Sequence, residues 1–157
     1  MKPPVMKSRM KLRRQAGQST VEFALTIIFV MVVLFGAIEL TIMIYTYNIL
    51  ADSAKEGVRY AIVHGTGVGA ANCSGPGGGG VACTDSTGTN VQTVVNNYTR
   101  LSFHDNTAMT VTPTYPDSSS VAPNRVRVTV SYVYQPFLRI GWTTMTVNAA
   151  AEGRIVF

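Results

Sequence analysis

An apolar run long enough to cross a bilayer, entered through a single carboxylate, constrains this chain more than anything else in it. From Phe23 to Ile38 nearly every side chain is apolar, and between Val21 and Tyr47 the only formal charges are Glu22 and Glu39. About 20 such residues span the hydrocarbon core as a helix. The run is longer than the roughly 7–15 residues of a secretory h-region, and no Ala-x-Ala site closes it. Tyr45 and Tyr47 stand at its far end, where interfacial aromatics gather. A single-pass anchor over about residues 22–46 is therefore expected. Glu22 is costly in such a place, by about 2–4 kcal/mol at the bilayer centre and less near the interface. A plain anchor has no need of it, although a helix N-terminus does favour a nearby acid.

Charge is as unevenly placed as hydrophobicity. Lys2, Lys7, Arg9, Lys11, Arg13 and Arg14 all precede the first acid, so six of the thirteen Lys and Arg form an N-terminal leader. The other seven are matched by eight acidic residues. The formal charge of +5 is thus a tail and not a basic face on the folded part, which excludes nucleic acid as a partner. A short basic flank stays on the cytoplasmic side of a membrane segment, which places the remainder of the chain outside. Cys73 and Cys83, the only cysteines, then lie where disulfides persist. A disulfide between them is the favoured reading, with free thiols as the alternative. Two thiols are too few ligands for a metal site, and none is expected.

The helix does not stop at the membrane boundary. Ile49, Leu50, Ala54, Val58, Ala61 and Ile62 continue at helical spacing, with Asp52, Lys55, Glu56 and Arg59 between them. One helix from about residue 19 to 63, roughly 65 Å at 1.5 Å per residue, ends at His64-Gly65-Thr66-Gly67. Residues 66–88 read as a flexible loop around Gly75-Pro76-Gly77-Gly78-Gly79-Gly80. It is no phosphate cradle, since no Gly-Lys-Ser/Thr follows. Beyond it, Val91, Val94, Val95, Tyr98 and Leu101 share one face of a short helix. Three alternating runs follow, around residues 109–115, 126–134 and 145–155. Pro113 makes the first an edge. The fold class is α+β: a long N-terminal transmembrane helix continuing into a small head of one short helix and an antiparallel sheet of three strands. The domains are a leader at 1–17, a long helix at 18–65, the loop at 66–88 and an extracytoplasmic head at 89–157.

No catalytic site is expected, and no cofactor. His64 and His104 have no Ser or Cys nucleophile in a recognisable frame. Phe137, Leu138, Ile140 and Trp142 are expected in the core of the head, with a membrane-surface patch as the alternative.

The segment Gly17-Gln18-Ser19-Thr20-Val21-Glu22-Phe23 resembles the processing site of type IV pilin-like proteins, and Glu22-Phe23 with Gln18 resembles the tight-adherence (Tad, or Flp) branch. Gly36-Ala37-Ile38-Glu39-Leu40 and Ala54-Lys55-Glu56-Gly57-Val58-Arg59-Tyr60-Ala61 are similar to the TadE-like pilus assembly family. The resemblance implies a minor pilin or pseudopilin, cut between Gly17 and Gln18 by a prepilin peptidase. It implies assembly roles for Glu22, Phe23 and Glu39, with a place at the outer membrane interface as the alternative for Glu39. Its partners would be other pilin and minor pilin subunits, an inner-membrane assembly platform and the lipid bilayer. Its place would be the bacterial cytoplasmic membrane, N-terminus inside and head periplasmic, or the extracellular pilus. A single-pass protein with a binding head outside any filament is the other reading.

Overall fold

The computed structural model describes residues 6–103, 106–137 and 143–157, the side chains of 6–16 excepted. Its elements are α1 (Met6–Val63), a single 3-10 turn (Thr66–Val68), α2 (Thr89–Arg100), β1 (Met109–Thr114), β2 (Arg125–Tyr134) and β3 (Met145–Arg154). The chain divides into two compact units, Met1–Thr41 and Ile42–Phe157, and α1 contributes to both. The helix begins well before residue 19 because the leader from Met6 to Ala16 is built almost wholly from strong helix formers. Between residues 17 and 45 the helix surface is exposed almost throughout, and the helix is long and apolar enough to cross a membrane.

The second unit is the head. Its sheet has the order β1-β2-β3, antiparallel throughout. Pro113 lies opposite Val128 on edge strand β1, where its missing N–H costs no ladder bond on the solvent side. Alternation along β2 sends Val126, Val128 and Val130 into the core while Arg125 and Arg127 stay in water. Against these valines pack Leu50, Ala54, Val58 and Ala61 of α1 and Val91 and Val95 of α2, with Ala149 and Ile155 closing the cluster.

Gly57 sets how closely these layers approach. A β-carbon there would stand 2.6 Å from Val95 Cγ2 and 3.2 Å from Val128 Cγ1, so α1 meets both α2 and β2 backbone-first. On the opposite face Lys55 pairs with Asp52 at 3.0 Å and Arg59 with Glu56 at 3.6 Å. These exposed i,i+3 pairs contribute only tenths of a kcal/mol. The spacing Ala54, Gly57, Ala61 is therefore a packing device, and the charges between them mark the solvated side.

α2 seats itself differently from the sequence expectation. Val91, Val95 and Thr99 are fully buried, whereas Tyr98 is exposed and Leu101 is 88% exposed. The i, i+4, i+8 row faces the core because the Thr99 hydroxyl donates to the Val95 carbonyl at 3.1 Å, which makes its burial affordable. Leu101 follows the last helical residue and is carried off that face. Phe137 is likewise not in the core: it is 82% exposed, while Leu138, Ile140 and Trp142 lie outside the described residues, as do His104 and Asp105.

Residues 64–88 are held by far more than two cysteines. Cys73 and Cys83 form a disulfide with Cα atoms 5.2 Å apart. The Ser74 amide donates to the His64 carbonyl at 2.7 Å, its hydroxyl donates to Asp85 Oδ2 at 2.8 Å, and its carbonyl accepts from the Tyr115 hydroxyl at 3.1 Å. Asp85 also accepts from the amides of Thr89 and Asn90, at 2.6 and 2.9 Å, so it caps α2 from outside the helix. Gly88 takes the left-handed turn between them at φ 74°, with Pro113 3.2 Å from where a β-carbon would be. Gly77 exchanges backbone and side-chain hydrogen bonds with Ser120. His64 stacks on Tyr60 with ring centroids 3.9 Å apart and shares a 2.8 Å hydrogen bond with the Tyr60 carbonyl through Nδ1, closing the end of α1.

Two outcomes follow from this packing. Gly57→Leu forces side chains into a filled core and is expected to destabilise the head by about 1–3 kcal/mol, read as a lower midpoint in urea against wild type. Burial of Tyr115, with Asp85 and Tyr60 adding to it, pushes its hydroxyl from 10.0 up to about 12. Because the folded value is raised, that contribution is whole below pH 10 and is lost as pH rises from 10 towards 12. Discounted for partial exposure it is at most about 2 kcal/mol. Tyr115→Phe should lower stability at neutral pH by about 1 kcal/mol and flatten the alkaline slope. Denaturant titrations at neutral and alkaline pH check both.

Candidate functional site

The candidate site belongs to the Met1–Thr41 unit and lies on a continuous helix. Gly17, Gln18, Glu22 and Phe23 all fall within α1, and no side chain approaches within 4 Å of the position a Gly17 β-carbon would take. The Gln18 side-chain amide donates to Glu22 Oε1 at 3.1 Å across one helical turn, and the Thr26 hydroxyl donates back to the Glu22 carbonyl at 2.8 Å. Glu22 is exposed and Phe23 is 67% exposed. A carboxylate is thus presented sideways from an apolar helix, held by a neighbour that is itself uncharged.

Position along the helix decides what Glu22 can do. In a helix beginning at Met6 it lies in the interior, far from the first turn where the macrodipole favours an acid. In a helix beginning at Gln18 it would stand at the fifth residue, beside the unsatisfied amides of the N-terminus. The same carboxylate is a burden in the first case and is electrostatically matched in the second.

Glu39 is in a different state. It is 6% exposed and is engaged within the chain, although Ile38 and Leu40 beside it are about half exposed. The sequence set Glu22 apart at the mouth of the apolar run and left Glu39 between the outer interface and a pairing with another subunit. The structure separates them: one is offered outward, the other is already covered.

A protein-family model described as TadE-like protein matches residues 17–59. Over that segment the chain is similar to TadE-like proteins. No curated protein and no solved structure matches it. The TadE-like segment opens at Gly17, leaving out the basic leader, and it closes two residues past Gly57. It therefore includes the apolar stretch together with Leu50, Ala54, Gly57 and Val58, the part of α1 on which the head is built.

The residues that sequence reasoning missed are polar. Asp85 caps α2 and binds Ser74; its one signal was an acid a few residues ahead of a helical apolar pattern. Asp117 accepts from the Arg125 guanidinium at 2.9 Å and from its backbone amide at 2.9 Å, and these bonds hold its carboxyl below the usual range. Arg125 also faces Glu152 at 3.8 Å. These three residues tie the start of β2 to the preceding turn and to β3, and nothing in local spacing reveals it.

Proposed function

We propose that this chain is a minor pilin or pseudopilin of a Tad pilus, cut after Gly17 by a prepilin peptidase and assembled through Glu22. The observation that carries the reading is the coincidence of three things at one place. The family match begins at Gly17, the basic leader ends there, and Glu22 is presented outward one turn beyond Gln18 on an apolar helix. The family supports association with the Tad system, and the apolar helix is compatible with a single-pass membrane protein. The proposed orientation follows the positive leader: N-terminus in the cytoplasm, head outside.

The chemistry of the proposal is electrostatic and structural, with no catalytic step of its own. Cleavage removes the basic leader and creates an ammonium on Gln18. In its own chain that amine and Glu22 are one turn apart; in a bundle of parallel helices the amine of one subunit can meet the carboxylate of the next. At an effective dielectric near 20, opposite charges about 4 Å apart gain roughly 4 kcal/mol before desolvation is set against it. Breaking one partner is the costly state, so the pair selects an axial register. Phe23, exposed beside it, supplies apolar contact to the same neighbour. Glu39, covered in its own chain, is not needed for this pairing.

Gly17→Leu is expected to leave the full chain in the membrane; N-terminal sequencing of membrane-extracted protein reads it, and normal maturation would remove the assigned site. Glu22→Gln is expected to insert, mature and fold its head normally, yet to lose most recovery of the other pilus subunits in pull-downs from detergent-solubilised membranes. Glu22→Asp should retain part of it. Undiminished recovery with Glu22→Gln would reduce Glu22 to a helix-terminus acid.

A further inference from the structure

The head has a polarity that its hydrogen bonds make readable. Within the head α1 runs from Ile42 to Val63, and His64 at its end meets Ser74, which leads on to Asp85 and the start of α2. α2 therefore returns towards the Ile42 end. There, Ile42, Tyr45 and Thr46 line a cleft of about 420 Å³ together with Phe103, Tyr132 and Gln135. β2 finishes and β3 begins at this same end, since Tyr134 lies opposite Met145. Val156, by contrast, donates its amide to the Ile62 carbonyl at the far end.

Among the described residues, Leu101 and Phe137 are the two most exposed large apolar residues of the head, 88% and 82%. Each stands two residues from a lining residue of the Ile42–Tyr45 cleft, Leu101 from Phe103 and Phe137 from Gln135. Both are thus at the end of the head where α1 changes character: Tyr45 and Tyr47 are exposed, while Ile49 and Leu50 are buried in the head. Arg100, exposed in the last turn of α2, is the immediate neighbour of Leu101. Two apolar side chains with a cation beside them, at the level where an apolar helix acquires interfacial tyrosines, have the composition of a surface that lies on lipid.

We propose that this end of the head is seated on the outer surface of the bilayer, with Leu101 and Phe137 inserted at the headgroup boundary and Arg100 at the level of the lipid phosphates. The inference rests on the reading of α1 as a membrane-spanning helix. The occupant is lipid and not a second copy, because Ile42 and Tyr45, themselves exposed, line the cleft at this end with Phe103 and Gln135, and exposed tyrosines at the end of an apolar helix mark a lipid interface. Seating would hold the head at a fixed height above the membrane before assembly, and extraction into a filament would have to release it.

The test uses the full chain in vesicles of phosphatidylethanolamine and phosphatidylglycerol, with its disulfide intact. An environment-sensitive fluorophore is attached at Leu101→Cys, Phe137→Cys, Val156→Cys or Val32→Cys, and lipids with brominated acyl chains serve as quencher. Labels at 101 and 137 are expected to lose most of their emission and the label at 156 almost none. If 32 is quenched while 101 and 137 behave like 156, the seating is overturned and the membrane helix stands. If 32 itself is not quenched, the membrane reading fails and the seating with it. Emission at 101 or 137 that is insensitive to bromine but shifts with protein-to-lipid ratio would identify copy-to-copy contact and also overturn the proposal.

Discussion

Ala54, Gly57 and Ala61 place side chains of minimal size on one face of α1, and the head is assembled on that face. All three are buried, and the absence of a β-carbon at Gly57 lets Val95 and Val128 come within ordinary contact of the helix backbone. Leu50 and Val58 fill the spaces on either side. Close approach of backbones increases the dispersion contacts available to every residue in the layer. A small head of some hundred residues has little apolar surface to spare, so this seam carries a large share of its cohesion. Gly153 repeats the arrangement where β3 passes Val58 and Ile62.

The same helix has two kinds of surface. Up to Tyr47 its large side chains are exposed along its length; from Ile49 onward they are taken up by the head. Binary patterning alone does not mark that transition, since the apolar residues continue. What changes is the appearance of Asp52, Lys55, Glu56 and Arg59 on the opposite face, which turns an all-round apolar helix into an amphipathic one. The TadE-like segment spans both regimes, which couples the apolar stretch to the platform that supports the head.

The connection between α1 and α2 behaves as a fastened element. Its glycines supply left-handed turns, but Ser74, Asp85, Ser120 and Tyr115 supply the bonds that hold those turns. Every such bond joins residues distant in sequence, so a composition rich in glycine reads locally as flexible while the folded loop is satisfied almost throughout. Asp85 is the clearest case: one carboxylate caps α2 and binds Ser74 at once, and it adds to the pressure that keeps the Tyr115 hydroxyl protonated.

Much was legible from residue order. The length and purity of the apolar run imposed a long helix, period-two alternation in 126–134 gave β2 its inner face, and Pro113 marked an edge strand, because each of these depends on local geometry. The Gly17–Phe23 frame and the Ala54–Ala61 spacing were also visible in the order of residues. Other matters needed partners that spacing does not name. Thr99 and not Tyr98 turns inward, because a hydroxyl can bond its own helix and be buried. Glu39 is covered while Glu22 is presented, although both are acids of one apolar run. Leu101 and Phe137 remain at the surface, Leu101 because it follows the last residue of α2 and leaves its buried face. Periodicity selects a face of each element; the volume available when the faces meet selects which residues of that face are enclosed.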